Sequence, residues 1–407
     1  MDVIMVEPCF PANQREFARA LHSVGARVIG IGERPKDALD DGLRHWLTHY
    51  EQVSNVCDDE ALERAVRLVQ GLAHPERMEA TVEAHILTSA RVRERCGIPG
   101  TSERTAFLCR DKPAMKEELR VLGIPCAASV GADSPDEARL FAERVGFPLI
   151  LKPRDGAGAA GTYRVDDDAE LEEAIVDTGL AQGRSVAVEE FVEGHEGFYD
   201  TLTIGGRVVH EFVTHYYPNV LAAMRTRWIS PQFITTNRVE DAEGYEELRE
   251  MGRRVIESFE IGTSATHMEW FFGPKGLKFS EIGCRPPGVG AWDLYSAANE
   301  MDLYREWANA VVHGQPVRAP SRRYAAGIIA LRPDQDGIIS HYDGMHEIED
   351  AFGEWILDLH LPPPGTPTQG VEAGYMANAW VRMKHPSYDE LRRMLDLVGK
   401  TVQVRAR

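Results

Sequence analysis

The sequence predicts a mixed α/β (α+β) protein, and three observations carry that expectation. Strands alternate with helices from residue 2 onward, and an apolar strand runs into a glycine-rich loop between 147 and 162. A hairpin in the stretch His267–Arg285, HMEWFFGPKGLKFSEIGCR, sets two glutamates opposite each other. At 407 residues the chain is too long for one ordinary core, so two to four units are expected.

The first strand, DVIMVE at 2–7, precedes a helical pattern from Asn13 to Val24, a strand from Arg27 to Ile31 and a helix from about Asp59 to Val69. Such alternation implies a parallel sheet covered by helices. The loop from Pro8 to Asn13 is not a GxGxxG fingerprint, so no dinucleotide is assigned to it. A Pro99-Gly100 break opens the next unit, where Asp111 caps a helix that begins with Lys112 and Pro113. Ser134-Pro135 starts another helix, and FPLILKP (147–153) and SVAVEEF (185–191) read as strands. A hairpin turns at Gly205-Gly206, and residues 218–240 read as irregular. Helices are expected from Tyr245 to Phe259 and, as one long element, from Leu294 to Val312. A β-rich piece from 321 ends with a helix, Tyr388 to Val398, and the strand TVQVRA.

Composition narrows the function. With 45 Lys and Arg against 64 Asp and Glu, the formal charge is −19, which argues against nucleic acid or an anionic membrane as the main partner. Any polyanionic ligand must be held by local cations. The six cysteines are scattered without CxxC spacing and suit reduced thiols in a cytoplasmic protein. The start shows no signal peptide, and no run approaches the roughly 18 apolar residues of a membrane helix.

The hairpin is the most pointed feature. Pro274 suits the first central position of a type I turn, and Gly276 suits the left-handed closing residue of a three-residue loop. Gly273 then pairs with Leu277, and Glu269 faces Glu281. Like charges directly opposed on a sheet are destabilising unless a cation lies between them, and Mg²⁺ is the first candidate. A register shifted by one residue would put the glutamates on opposite faces, and the hairpin alone does not choose. In the first register Met268 and Trp270 fill the core face, while Phe271 and Phe279 flank the carboxylates.

Three other features accompany it. Gly156, Gly158 and Gly161 form a loop whose backbone can approach a phosphate, although such loops are often plain connectors and this one lacks a P-loop ending. Lys152 ends an apolar strand, and Lys112 sits at a helix start, where a bound anion would relieve its clash with the helix dipole. VEEFVEGHE (188–196) is a strand running into an acidic turn, equally readable as solvated surface.

In this order, RDKPAMKEELRVLGIP, LKPRDGAGAAGT, VEEFVEGHE and HMEW…SEIGCRPPG closely resemble the ATP-grasp superfamily, over roughly residues 1–320. Within it the chain looks most like carboxylate–amine ligases of the L-amino-acid (dipeptide) ligase and carnosine-synthase-like branch. The resemblance implies a Rossmann-like preATP-grasp domain (1–100), a lid subdomain (101–184), a catalytic subdomain (185–320) and a small β-rich C-terminal subdomain (321–407). It implies that Lys112, Lys152 and the loop Gly156–Thr162 hold ATP phosphates. Glu189, Glu190 and Val192 would read adenine, Glu196 the ribose, and Phe271 would pack on the base. Glu269 and Glu281 would bind Mg²⁺, or Mn²⁺ in its place, and Arg285 would sit beside the transferred phosphate. Many members carry Asn two residues after the second acid, where this chain has Gly283. His267, Arg225, Arg227 and Gly288 are candidates for contact with substrate. The reaction implied is ADP-forming amide synthesis through an acylphosphate, on a carboxylate and an amine; separately from the resemblance, a homodimer is expected. A carboxylase-type enzyme and a nucleotide-binding scaffold without turnover are the alternatives.

Overall fold

The computed structural model describes residues 1–154, 161–227, 229–240, 243–370 and 379–407. Strands β1 (Asp2–Val6), β2 (Arg27–Gly32), β3 (Leu47–Gln52) and β4 (Pro75–Glu79) form a parallel sheet in the order β3-β2-β1-β4. All five residues of β1 are buried, as a central parallel strand between helical layers requires. The helix Gln14–Ser23 turns Phe17 and Leu21 inward, where Phe17 meets Trp292, Tyr304 and Trp307. That aromatic contact fastens the N-terminal unit to the body of the protein.

The second unit holds β5 (Ser129–Ala132), β6 (Leu149–Pro153), β7 (Tyr163–Val165) and β8 (Val186–Glu190) in the order β5-β8-β6-β7. The expected boundary at 184/185 falls between strands of this sheet. β8 lies between β5 and β6 in this sheet, so the small unit runs through Glu190.

A large sheet follows, in the order β13-β12-β9-β10-β11-β14-β17-β16. Its strands are β9 (His195–Ile204), β10 (Arg207–Tyr217), β11 (Gln232–Thr235), β12 (Ser264–Gly273), β13 (Gly276–Gly283) and β14 (Ala325–Leu331), with β16 (Ile356–His360) and β17 (Ala379–His385) beyond β14. A separate ribbon pairs β15 (Ile339–Asp343) with β18 (Gln403–Ala406). Most of the expected C-terminal β-rich piece thus extends the large sheet and does not stand apart. The join is β11, which lies in the segment read as irregular. Only four residues long, QFIT is buried throughout and pairs with β10 and β14. The helix Val220–Arg225 occupies the same segment. The single helix expected from Leu294 to Val312 is two, Ala291–Asn299 and Leu303–His313. Glu300 adopts a left-handed conformation (φ 53°), and the Asp302 carboxylate accepts from the Arg305 amide to cap the second helix.

Candidate active site

The small and large sheets enclose a cavity of about 680 Å³, lined among others by Lys112, Lys116, Lys152, Thr162, Glu189, Glu190, Val192, Glu196, His267, Glu269, Phe271, Glu281, Arg285 and Gly288. The hairpin supplies its acidic floor. Glu269 faces Glu281 and His267 faces Gly283, as expected, but by a different route. The turn is one residue tighter, with Gly273 opposite Gly276, and a β-bulge at Ser280 restores the lost residue between Trp270↔Phe279 and Glu269↔Glu281. Gly276 takes the left-handed conformation its turn position demands (φ 77°). The bulge also reverses the parity of Phe279. It packs in the core with Met268 and Trp270 and does not simply flank the carboxylates.

The chain brings its own cations to the two acids. Lys112 Nζ lies 3.3 Å from Glu281 Oε2, and His267 Nε2 lies 3.7 Å from Glu269 Oε1. Burial would raise the pKa of Glu281, but Lys112, Lys152 and Lys116 together hold it below the ordinary value. His267 donates from Nδ1 to Asp200 Oδ1 at 2.7 Å, and Tyr295 donates to the other oxygen of Asp200 at 2.5 Å. Burial opposes the imidazolium, yet Asp200 and Glu269 prevail and push its pKa up to about 9.

A second cluster stands on the small sheet. Glu189 is expected at an adenine hinge. Its backbone pairs with Ser129 and Ile150 inside the sheet, and its carboxylate binds Lys116 Nζ at 2.6 Å and Lys152 Nζ at 2.8 Å. Burial resists its charge, but the two lysines outweigh burial and pull its pKa down to about 2. Lys116 is 1 % exposed, and burial lowers its pKa to about 8 against the pull of Glu189. Sequence reasoning passed over Lys116. Its signal was the spacing to Lys112, four residues along the same helix face.

Glu190 and Val192 lie at and beyond the end of β8. Glu190 accepts from the Ala128 amide at 3.2 Å and pairs with Lys275 of the hairpin turn. Phe271 and Glu196 face each other across β12 and β9. Glu196 accepts from the Val220 amide at 2.7 Å, and burial, then Glu269, pushes its pKa up to about 8.

Some expected residues lie elsewhere. Arg227 is not among the residues that line the cavity, and it pairs with Asp336 at 2.5 Å. Arg225 ends a short helix, and its side chain is not among the described parts. Gly156 and Gly158 lie outside the described residues, whereas Gly161 is left-handed (φ 67°) beside Pro153. Asp200 and Glu83, which pairs with Arg285, were not singled out from the sequence.

The acid pair suits a hard cation. Among the described residues no group of three or more His, Cys, Asp and Glu side chains is placed to hold a metal. Two carboxylates alone match Mg²⁺, which characteristically takes one or two protein carboxylates and fills its shell with water and substrate phosphate. Also among the described residues, no helix is long and apolar enough to cross a membrane.

Comparison with known proteins agrees with this arrangement. The chain is 26% identical over 324 residues to the L-arginine-specific L-amino acid ligase of Bacillus subtilis, spanning 78% of this chain and 76% of that protein. It is 25% identical over 351 residues to the formate-dependent phosphoribosylglycinamide formyltransferase of Chlorobium phaeobacteroides, spanning 85% of each. The crystal structure of L-amino acid ligase from Bacillus licheniformis superposes with a TM-score of 0.77 at 16% identity, covering 100% of this chain and 98% of that one, a likeness of fold. Residues 117–300 match the ATP-grasp domain family, so this part of the chain carries an ATP-grasp domain.

Proposed function

We propose that this protein is an ADP-forming ATP-dependent carboxylate–amine ligase that joins amino acids or small related metabolites through an acylphosphate. The observation that carries this reading is the sharing of one cavity by a lysine cluster and an opposed carboxylate pair. On a chain of net charge −19, a triphosphate needs local cations, and Lys112, Lys116 and Lys152 provide them around Glu189 and Glu281. Glu190, Val192 and Phe271 are the residues proposed to receive the base, and Glu196 the ribose. Glu269 and Glu281 would hold Mg²⁺, which when bound with nucleotide neutralises charge on the phosphates.

Amines attack carboxylates slowly because oxide is a poor leaving group. Phosphorylation of the carboxylate supplies a better one, and the amine then displaces phosphate. Arg285 lines the same cavity and is the group proposed to steady negative charge on the transferred phosphoryl and on the tetrahedral oxyanion. The relative from Chlorobium phaeobacteroides favours testing formate beside amino acids as the carboxylate.

The decisive experiment is an ADP-release screen over pairs of amino acids and small carboxylic acids, with mass spectrometry of the product. Release of AMP and pyrophosphate would overturn the acylphosphate route. Glu281→Gln is expected to cut turnover by about 100-fold or more while leaving the thermal melt close to wild type. Wild-type turnover in that variant at moderate Mg²⁺ would remove Glu281 from the site.

A further inference from the structure

Arg285 is 16 % exposed, and a buried guanidinium requires a partner. Acids are near it on the large sheet, but the one it binds comes from the N-terminal unit. Glu83 lies in the connection after β4, and its Oε2 accepts from Arg285 Nε at 2.7 Å. Arg285 Nη1 donates to the Pro286 carbonyl at 3.0 Å. The other oxygen of Glu83 accepts from Arg110 Nη1 at 3.2 Å, and the same nitrogen reaches the Glu83 carbonyl at 3.3 Å. Both carboxylate oxygens therefore accept from guanidinium groups.

Gly283 leaves room for this contact. A Cβ at that position would lie 3.0 Å from Glu83 Oε2 and 3.5 Å from Arg285 Cγ and Nε. A side chain there would crowd Glu83 Oε2 by a few tenths of an ångström. The missing side chain at 283 and the arrival of a carboxylate from another unit are thus one feature.

We propose that Glu83 is a positioning residue for Arg285, admitted by Gly283 and braced by Arg110, so that the N-terminal unit sets the arginine that faces the reacting groups. The inference rests on the ligase reading above. Held by Nε, Arg285 keeps other N–H groups for the cavity. Released, it would be drawn toward Asp200 and Glu281, whose charges already act on it.

Two kinds of measurement test this. In steady-state kinetics, Glu83→Gln and Gly283→Ala are both expected to lower kcat by about 30–100-fold, with KM for ATP and the melting temperature little changed. In chemical modification, phenylglyoxal should label Arg285 several-fold faster in Glu83→Gln than in the wild-type chain, read by peptide mass spectrometry. Glu83→Gln with wild-type kcat, or with unchanged labelling, would overturn the proposal. So would a loss of ATP affinity and melting temperature in step with kcat, since that would make Glu83 a structural brace only. If the wild-type chain releases ADP with no substrate pair, the ligase reading fails, and the labelling rates still decide the clamp.

Discussion

Glu189 and Glu196 are seven positions apart, line one cavity and are almost equally buried, at 4 % and 6 % exposed, yet they carry opposite charge states. Glu189 ends up near 2 and stays ionised, whereas Glu196 is pushed up to about 8 and is largely protonated at neutral pH. Burial acts in the same direction on both. The difference is in the neighbours: two lysine ammonium groups at Glu189, against one amide hydrogen and the nearby Glu269 at Glu196. Depth sets the cost of a charge, and partners decide whether it is kept. The small sheet therefore presents a fixed ionic cluster, while the large sheet presents an acid whose charge a ligand can change.

The strongest way to break this comparison is Glu189→Gln. It leaves Lys116 and Lys152 buried against a neutral amide, and the expected loss is about 3–5 kcal/mol in denaturant unfolding. A stability within experimental error of wild type would show that the lysines do not depend on Glu189. Lys116→Met should cost less, about 1–3 kcal/mol, because Lys152 still serves the carboxylate. The pKa of Glu189 lies below its ordinary 4.5, so its contribution is present above that value and lost as pH falls toward about 2. Removing one cation should move that acid-side loss to higher pH, visible in unfolding curves between about pH 2 and 5.

Glu196→Gln sharpens the other half. A raised carboxyl pKa means that the folded protein holds a proton the unfolded chain has released. For this group stability falls as pH rises from 4.5 to about 8. The amide should remove that slope and leave the variant more stable than wild type above about pH 8. A slope identical in the two proteins would mean that Glu196 is not the group responsible.

Much of the site was legible because strand alternation and turn chemistry act over short distances. The opposition of Glu269 and Glu281 follows from counting outward from Pro274, although the count came right through a tighter turn and a compensating bulge at Ser280. What was not legible depends on contacts between units. Glu83 is 202 positions from Arg285, and nothing beside it in sequence marks it as a partner. Glu189 reads as one acid of a strand end until the helix carrying Lys116 is packed beneath it. The strand β11 is too short to announce itself, and only its neighbours on both sides make QFIT a strand. The break at Glu300 rests on one left-handed residue that a helical pattern does not reveal.

One consequence follows from the place of β13 at the margin of the large sheet. A bare margin invites a second chain to add a strand. Here the Phe279 amide donates to the Pro125 carbonyl at 2.8 Å, and Cys126 bridges to Phe279, so the connection between the Lys112–Val121 helix and β5 covers it. The same stretch tethers the small unit to the strand that carries Glu281. Loosening it would expose the unpaired edge of β13, and clumping at high concentration would be the first sign.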